Sequence, residues 1–101
     1  MAASGGLAEG VARVILPGGD FSLFKEGEIL VTTLTDPTMV QVMIRAGAIV
    51  TDIGGITSHP AILSREMGIP CVVNTKEATL KIKSGMKLKI NGSTGEIYEL
   101  D

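Results

Sequence analysis

The chain has no tryptophan, one tyrosine and two phenylalanines among its 101 residues. Ligand pockets and base-stacking platforms usually recruit aromatic walls, so this scarcity argues against a domain that encloses its own substrate. The core must be aliphatic. Cys71 is the single cysteine and cannot form an internal disulfide. No segment has the charged, apolar and small-residue order of a signal peptide, or the about 18 apolar residues of a membrane span, so a cytoplasmic setting without membrane contact is the expectation. The formal net charge is -2, and the nearest thing to a basic run is the spaced set Lys81, Lys83, Lys87 and Lys89. That is no footprint for nucleic acid. One histidine, one cysteine and scattered carboxylates form no ligand set of recognisable metal spacing.

What is present is an ordinary globular balance, with 45% hydrophobic and 20% charged residues, in a length that fits one domain. Residues 1–6 are small and glycine-rich and read as a flexible lead-in or linker end, with the domain itself spanning residues 7–101. Val11–Leu16 is β-branched and apolar enough for a strand, stopped by the turn chemistry of Pro17-Gly18-Gly19-Asp20. A loop over Phe21–Gly27 and a strand over Glu28–Thr33 follow.

Thr35-Asp36-Pro37 is a helix start, because a Thr or Asp side chain accepts from free first-turn amides and proline is preset for the first helical position. Val40, Met43 and Ile44 recur at helical spacing, predicting a helix over Pro37–Ala46 closed by Gly47 and followed by a buried strand over Ala48–Thr51. A second helix over Ser58–Met67 ends at Gly68, and Ile69–Val73 returns as a strand. Two crossovers of this kind join parallel strands. Met86–Ile90 and Glu96–Leu100, separated by Asn91–Gly95, form a hairpin with one solvated face. The predicted class is mixed α/β, a short parallel sheet with crossover helices plus an antiparallel portion built from the ends of the chain.

The chemistry concentrates between Thr51 and Val73, which holds the only histidine, His59. Lone histidines at helix starts are commonly just polar surface residues. Here the double glycine Gly54-Gly55 directly follows a buried strand and lets the backbone turn sharply beside something bulky. Thr57 and Ser58 bring two hydroxyls, and Pro60 sits where its missing amide costs nothing, leaving His59 near a helix N-terminus whose free amides and dipole attract phosphate. The same field disfavours an imidazolium, so His59 is expected to stay neutral with a lone pair available for attack. A neutral nucleophile beside an anion site is a phosphoryl acceptor. A serine-hydrolase reading of Ser58 with His59 fails because neighbouring side chains diverge and no nucleophile-elbow pattern is present.

Thr51, Asp52, Gly54, Gly55, Thr57, Ser58, His59, Ala61, Ile62, Arg65, Glu66, Gly68, Ile69 and Pro70 together resemble the core motif of the phosphohistidine swivelling (mobile) domain of phosphoenolpyruvate-utilising enzymes. The resemblance covers nearly the whole chain and is nearest to the phosphoenolpyruvate synthase and pyruvate phosphate dikinase type. It implies a swivelling β/β/α fold and a covalent carrier: His59 takes a phosphoryl group at one active site and surrenders it at another. It also implies that Thr57 steadies the imidazole or phosphate. Thr38 matches, less closely, a helix-start threonine that contacts the histidine, with Thr35 as its rival. Ile56 stands where many members have arginine and Pro60 where many have alanine.

The partners implied are a nucleotide-binding domain and a barrel that binds phosphoenolpyruvate or pyruvate, in the same parent chain or as separate subunits. No cofactor is expected in this domain; Mg²⁺ with ATP or phosphoenolpyruvate belongs on those partners. The chain is then part of a phosphotransferase and inactive alone. The alternative is a non-catalytic structural or regulatory appendage, like that at the C-terminus of some pyruvate kinases. Arg65 is a possible phosphate contact or a scaffold charge, Asp52 a loop cap or a proton acceptor, and Cys71, Met39 and Met43 read as core.

Overall fold

The computed structural model describes residues 1–35, 39–54 and 59–100, without the side chains of His59 and Pro60. The chain runs β1 (Ala2–Ser4), β2 (Leu7–Val14), β3 (Ile29–Thr32), α1 (Val40–Met43), β4 (Ala48–Thr51), α2 (His59–Met67), β5 (Cys71–Val72), α3 (Ala78–Lys81), β6 (Lys87–Asn91) and β7 (Glu96–Glu99). The strands lie in the order β1-β5-β4-β3-β2-β6-β7. Pairing is parallel across β2, β3, β4 and β5, and antiparallel for β1 with β5, β2 with β6 and β6 with β7. The predicted mixed α/β architecture, with two crossovers and an antiparallel portion from the chain ends, is the one observed.

Every residue of β3 and β4 is buried, and the period of two explains how. Leu30, Ile49, Cys71 and Val73 face one side, where Met39, Val42 and Met43 from the α1 region and Ala61 of α2 cover them. Ile29, Val31, Ala48, Val50 and Val72 face the other, against Ala78 and Ile82 around α3 and Leu88 and Ile90 of β6. The central strands are therefore apolar throughout, as parallel strands covered on both faces must be.

β2 joins the two halves. Its first part, Leu7–Val11, pairs with β6, and its last part, Ala12–Val14, pairs with β3. This moves the strand start four residues ahead of the expected Val11, because the partner of those residues is the distant C-terminal hairpin. The lead-in is also more ordered than its glycines imply: Ala2 and Ser4 pair with Val72 and Cys71, and the Val73 amide donates to the Met1 carbonyl at 2.9 Å.

The expected first helix is shorter in its described part. Its predicted start at Pro37 lies outside the described residues, and Ile44 caps it before Ala46. Gly47 serves a close approach instead of a cap: a Cβ there would sit 2.6 Å from the Gly27 carbonyl oxygen. The end of α2 is as expected. Gly68 takes φ +71 and the Ile69 amide donates to the Ser64 carbonyl at 2.9 Å, a bond that satisfies a terminal carbonyl. The strand after it is cut to Cys71–Val72, since Ile69 is engaged in that helix end. The short helix α3 was not anticipated from the sequence.

Among the described residues no helix is long and apolar enough to cross a membrane.

Candidate functional site

The candidate site lies past the carboxyl end of β4, the edge where open parallel sheets present their loops and bind ligands. β4 ends at Thr51, and α2 begins at His59. His59 is the first described residue of α2, a helix of nine residues, and residues 55–58 before it lie outside the described residues. Gly54 takes φ +132, a conformation that a residue with a Cβ rarely adopts, so a glycine is required at this position. Gly55, Thr57, Ser58 and Thr38, all candidates from the sequence, lie outside the described residues, as does the side chain of His59.

The root of this turn is fastened on two sides. Toward β3, the Asp52 amide donates to the Thr32 carbonyl at 3.1 Å and the Ile53 amide to the Thr33 carbonyl at 2.9 Å. The Thr51 hydroxyl donates to the Ile53 carbonyl at 2.9 Å. Toward the segment after β5, the Thr75 amide (3.1 Å) and hydroxyl (2.9 Å) donate to the Thr51 carbonyl, and the Lys76 amide donates to the Asp52 carbonyl at 2.9 Å. Lys76 achieves this at φ +72, a left-handed conformation.

Asp52 is 6% exposed, and a carboxylate so deeply placed is costly unless its oxygens are bonded. Oδ1 accepts from the Thr79 amide at 3.0 Å and shares, at 3.3 Å, the Thr75 hydroxyl proton that goes chiefly to the Thr51 carbonyl, while Oδ2 accepts from the Thr79 hydroxyl. Of the two readings of Asp52, these bonds fit the loop cap. Glu77 makes no side-chain cap at the start of α3, so Asp52 caps that helix from another loop. Ala78-Thr79 belongs to the downstream reach of the family resemblance, but the sequence assigned neither Thr79 nor Thr75 a role at the site. Their partner is 23 and 27 residues away, and the only local hint is that a buried aspartate requires donors from somewhere.

Arg65 lies on α2, and its Nη1 donates to the Ala3 carbonyl at 3.2 Å, tying that helix to β1. Glu66 is exposed. Cys71, Met39 and Met43 are fully buried, as expected for core residues, and burial pushes the Cys71 thiol above its ordinary pKa. Among the described residues, no group of three or more His, Cys, Asp and Glu side chains could hold a metal ion.

Residues 24–95 match the family described as PEP-utilising enzyme, mobile domain. The chain belongs to this family. Over 99 residues it is 54% identical to the phosphoenolpyruvate synthase of Pyrococcus furiosus and 52% identical to the probable phosphoenolpyruvate synthase of Archaeoglobus fulgidus. Each match covers 98% of this chain but only 12% and 13% of those proteins, so this mobile domain spans about an eighth of the curated relatives. Among solved structures, the solution structure of an enzyme I protein (nEIt) is 27% identical with a TM-score of 0.67, covering 79% of this chain and 33% of that one. Aconitase X of Thermococcus kodakaraensis is 25% identical with a TM-score of 0.68, covering 99% and 95%. A mobile-domain fold thus occurs beside a different activity, and function has to be argued from the site.

Proposed function

We propose that the chain is the phosphoryl-carrier domain of a phosphotransferase of the phosphoenolpyruvate synthase type, with His59 as the residue that carries the group. The observation that supports this most is the position of His59: its backbone stands in the first described turn of α2, the helix that follows β4 of the parallel sheet, in a chain 54% identical to a phosphoenolpyruvate synthase over 99 residues.

In this reading the unprotonated ring nitrogen of His59 attacks the phosphorus of an incoming phosphoryl group. The N–P bond forms as the P–O bond to the donor breaks, and the donor oxygen keeps the electron pair. With phosphoenolpyruvate as donor the leaving group is the pyruvate enolate, which takes a proton in the partner's site to become pyruvate. Thr57 and Ser58 steady the ring or the phosphate, and Gly54 and Gly55 let the backbone come close to it. Helix N-terminal amides stabilise the added charge. Nearly all of such a transfer is positioning and charge stabilisation, so the remaining machinery belongs to a nucleotide-binding domain and a phosphoenolpyruvate-binding barrel, with Mg²⁺ and ATP held there.

The test combines the chain with the cognate barrel domain, phosphoenolpyruvate and Mg²⁺, followed by intact mass. An acid-labile phosphate that His59→Ala abolishes is the expected result. An unlabelled wild type beside an active partner overturns the carrier reading in favour of a non-catalytic appended role.

A further inference from the structure

We propose that Asp52 is a positioning residue for phosphoryl transfer at His59, acting through Thr75 and Thr79; the proposal rests on the carrier reading of His59. Asp52 is the first residue beyond β4, and the turn toward His59 departs two residues later, at Gly54 with φ +132. Its carboxylate is bonded at both oxygens by the segment that leads into and begins α3, with Thr79 supplying an amide at 3.0 Å and a hydroxyl, and Thr75 a hydroxyl at 3.3 Å. The far end of the connection is held by α2, whose Ala61 is fully buried in the core on the opposite face from α3. The described residues on either side of residues 55–58 are therefore anchored on different layers, and the Asp52 carboxylate is the side chain that ties the first of them to α3.

The backbone bonds of Thr51 and Asp52 to Thr32 and Thr75 do not use that carboxylate and would survive its loss. This separates positioning from folding. Without the side-chain bonds, β4 keeps its place in the sheet but Asp52 no longer ties the residues before Gly54 to α3. Transfer to a ring nitrogen needs the reacting atoms aligned at near-contact distance, and a shift of about 1 Å can cost on the order of 100-fold in rate.

The test is single-turnover phosphoryl transfer to the chain from the barrel domain supplied with phosphoenolpyruvate and Mg²⁺, as a function of barrel concentration. It is run at a temperature at which circular dichroism shows every variant fully folded, so that lost stability cannot imitate a lost rate. Thr79→Val and Asp52→Ala are expected to lower the saturating rate roughly 10- to 100-fold while the half-saturating concentration stays where it is. Thr79→Ser, which keeps the hydroxyl and the amide, is expected to restore the rate. The amide resonances of Gly54 and His59 in ¹H–¹⁵N spectra should move in Thr79→Val and return in Thr79→Ser. If Asp52→Ala does not fold, the two Thr79 variants carry the test. A Thr79→Val chain that transfers at the wild-type saturating rate, or a slow one that serine does not rescue, overturns the positioning role while leaving a labelled wild type, and so the carrier reading, intact. A wild type that takes no label from an active barrel overturns both.

Discussion

Replacing Gly92 by alanine probes how the two ends of the chain are joined. Gly92 opens the turn between β6 and β7, and a Cβ built on it would lie 1.9 Å from the Ser4 carbonyl oxygen and 3.1 Å from the Cys71 amide nitrogen. Real Cβ atoms essentially never approach closer than 3.0 Å, so the backbone must open by at least 1.1 Å, the difference between 3.0 and 1.9 Å. Both obstacles are main chain in the β1–β5 pair and cannot swing aside. The turn would have to lift away from β1, straining the Gly92 amide bond to the Gly6 carbonyl (2.8 Å) and the Gly6 amide bond to the Ser93 hydroxyl (3.2 Å). At about 1 kcal/mol for each hydrogen bond, and about 1–3 kcal/mol for overpacking, the substitution should cost about 3–5 kcal/mol. That is a large share of the stability of a domain this size and corresponds to a fall in Tm of roughly 12–40 °C. Urea unfolding followed by far-ultraviolet circular dichroism measures it, the chain having no tryptophan to report by fluorescence. Gly68→Ala is the contrasting control: Gly68 has φ +71 but nothing within 4 Å of its Cβ position, whereas Gly92 is crowded without a positive φ. It isolates the left-handed strain, about 1–2 kcal/mol. A Gly92→Ala chain no less stable than Gly68→Ala would refute the claim that the hairpin turn is seated against β1.

Glu28 is 8% exposed, and the Arg13 guanidinium, 2.8 Å away, holds its carboxyl below the usual glutamate range. A carboxylate depressed on folding contributes stability that is fully present above the ordinary glutamate pKa and is lost as pH falls through the depressed folded value. Tm followed into acid should therefore fall more steeply for wild type than for Glu28→Gln, and equal slopes would discount the pair. The buried Cys71 thiol, its pKa raised by burial, should react with iodoacetamide at least roughly a hundredfold more slowly in the native chain than in urea, because labelling requires opening. Fast native labelling, followed by mass spectrometry, would contradict a closed core beneath α2.

The parallel half of the fold was legible because its signals are local. Ala48-Ile49-Val50-Thr51 is an apolar run bounded by Gly47 and Gly54-Gly55, and the strand observed there has those very limits. Gly68 marks the end of α2 through a conformation that depends on that residue alone. The family motif likewise lies in one continuous stretch, which is how His59 stands out as the candidate residue with no structure in hand. What escaped was non-local. Ala2–Ser4 is too short and too small to announce itself as a strand, and it is one because the edge of β5 stands free to pair with it, about 70 residues later in the chain. Leu7–Val11 extends β2 for the same reason, against β6.

The sequence by itself determined the candidate residue His59, the order of strand and helix around it, and the two-faced burial of the central strands, since each depends on residue type and spacing over one or two turns of chain. Only the tertiary structure decided what holds the root of the reactive turn. Asp52 meets Thr75 and Thr79 because the sheet brings the ends of β4 and β5 side by side, and a buried carboxylate is stable only where such donors converge.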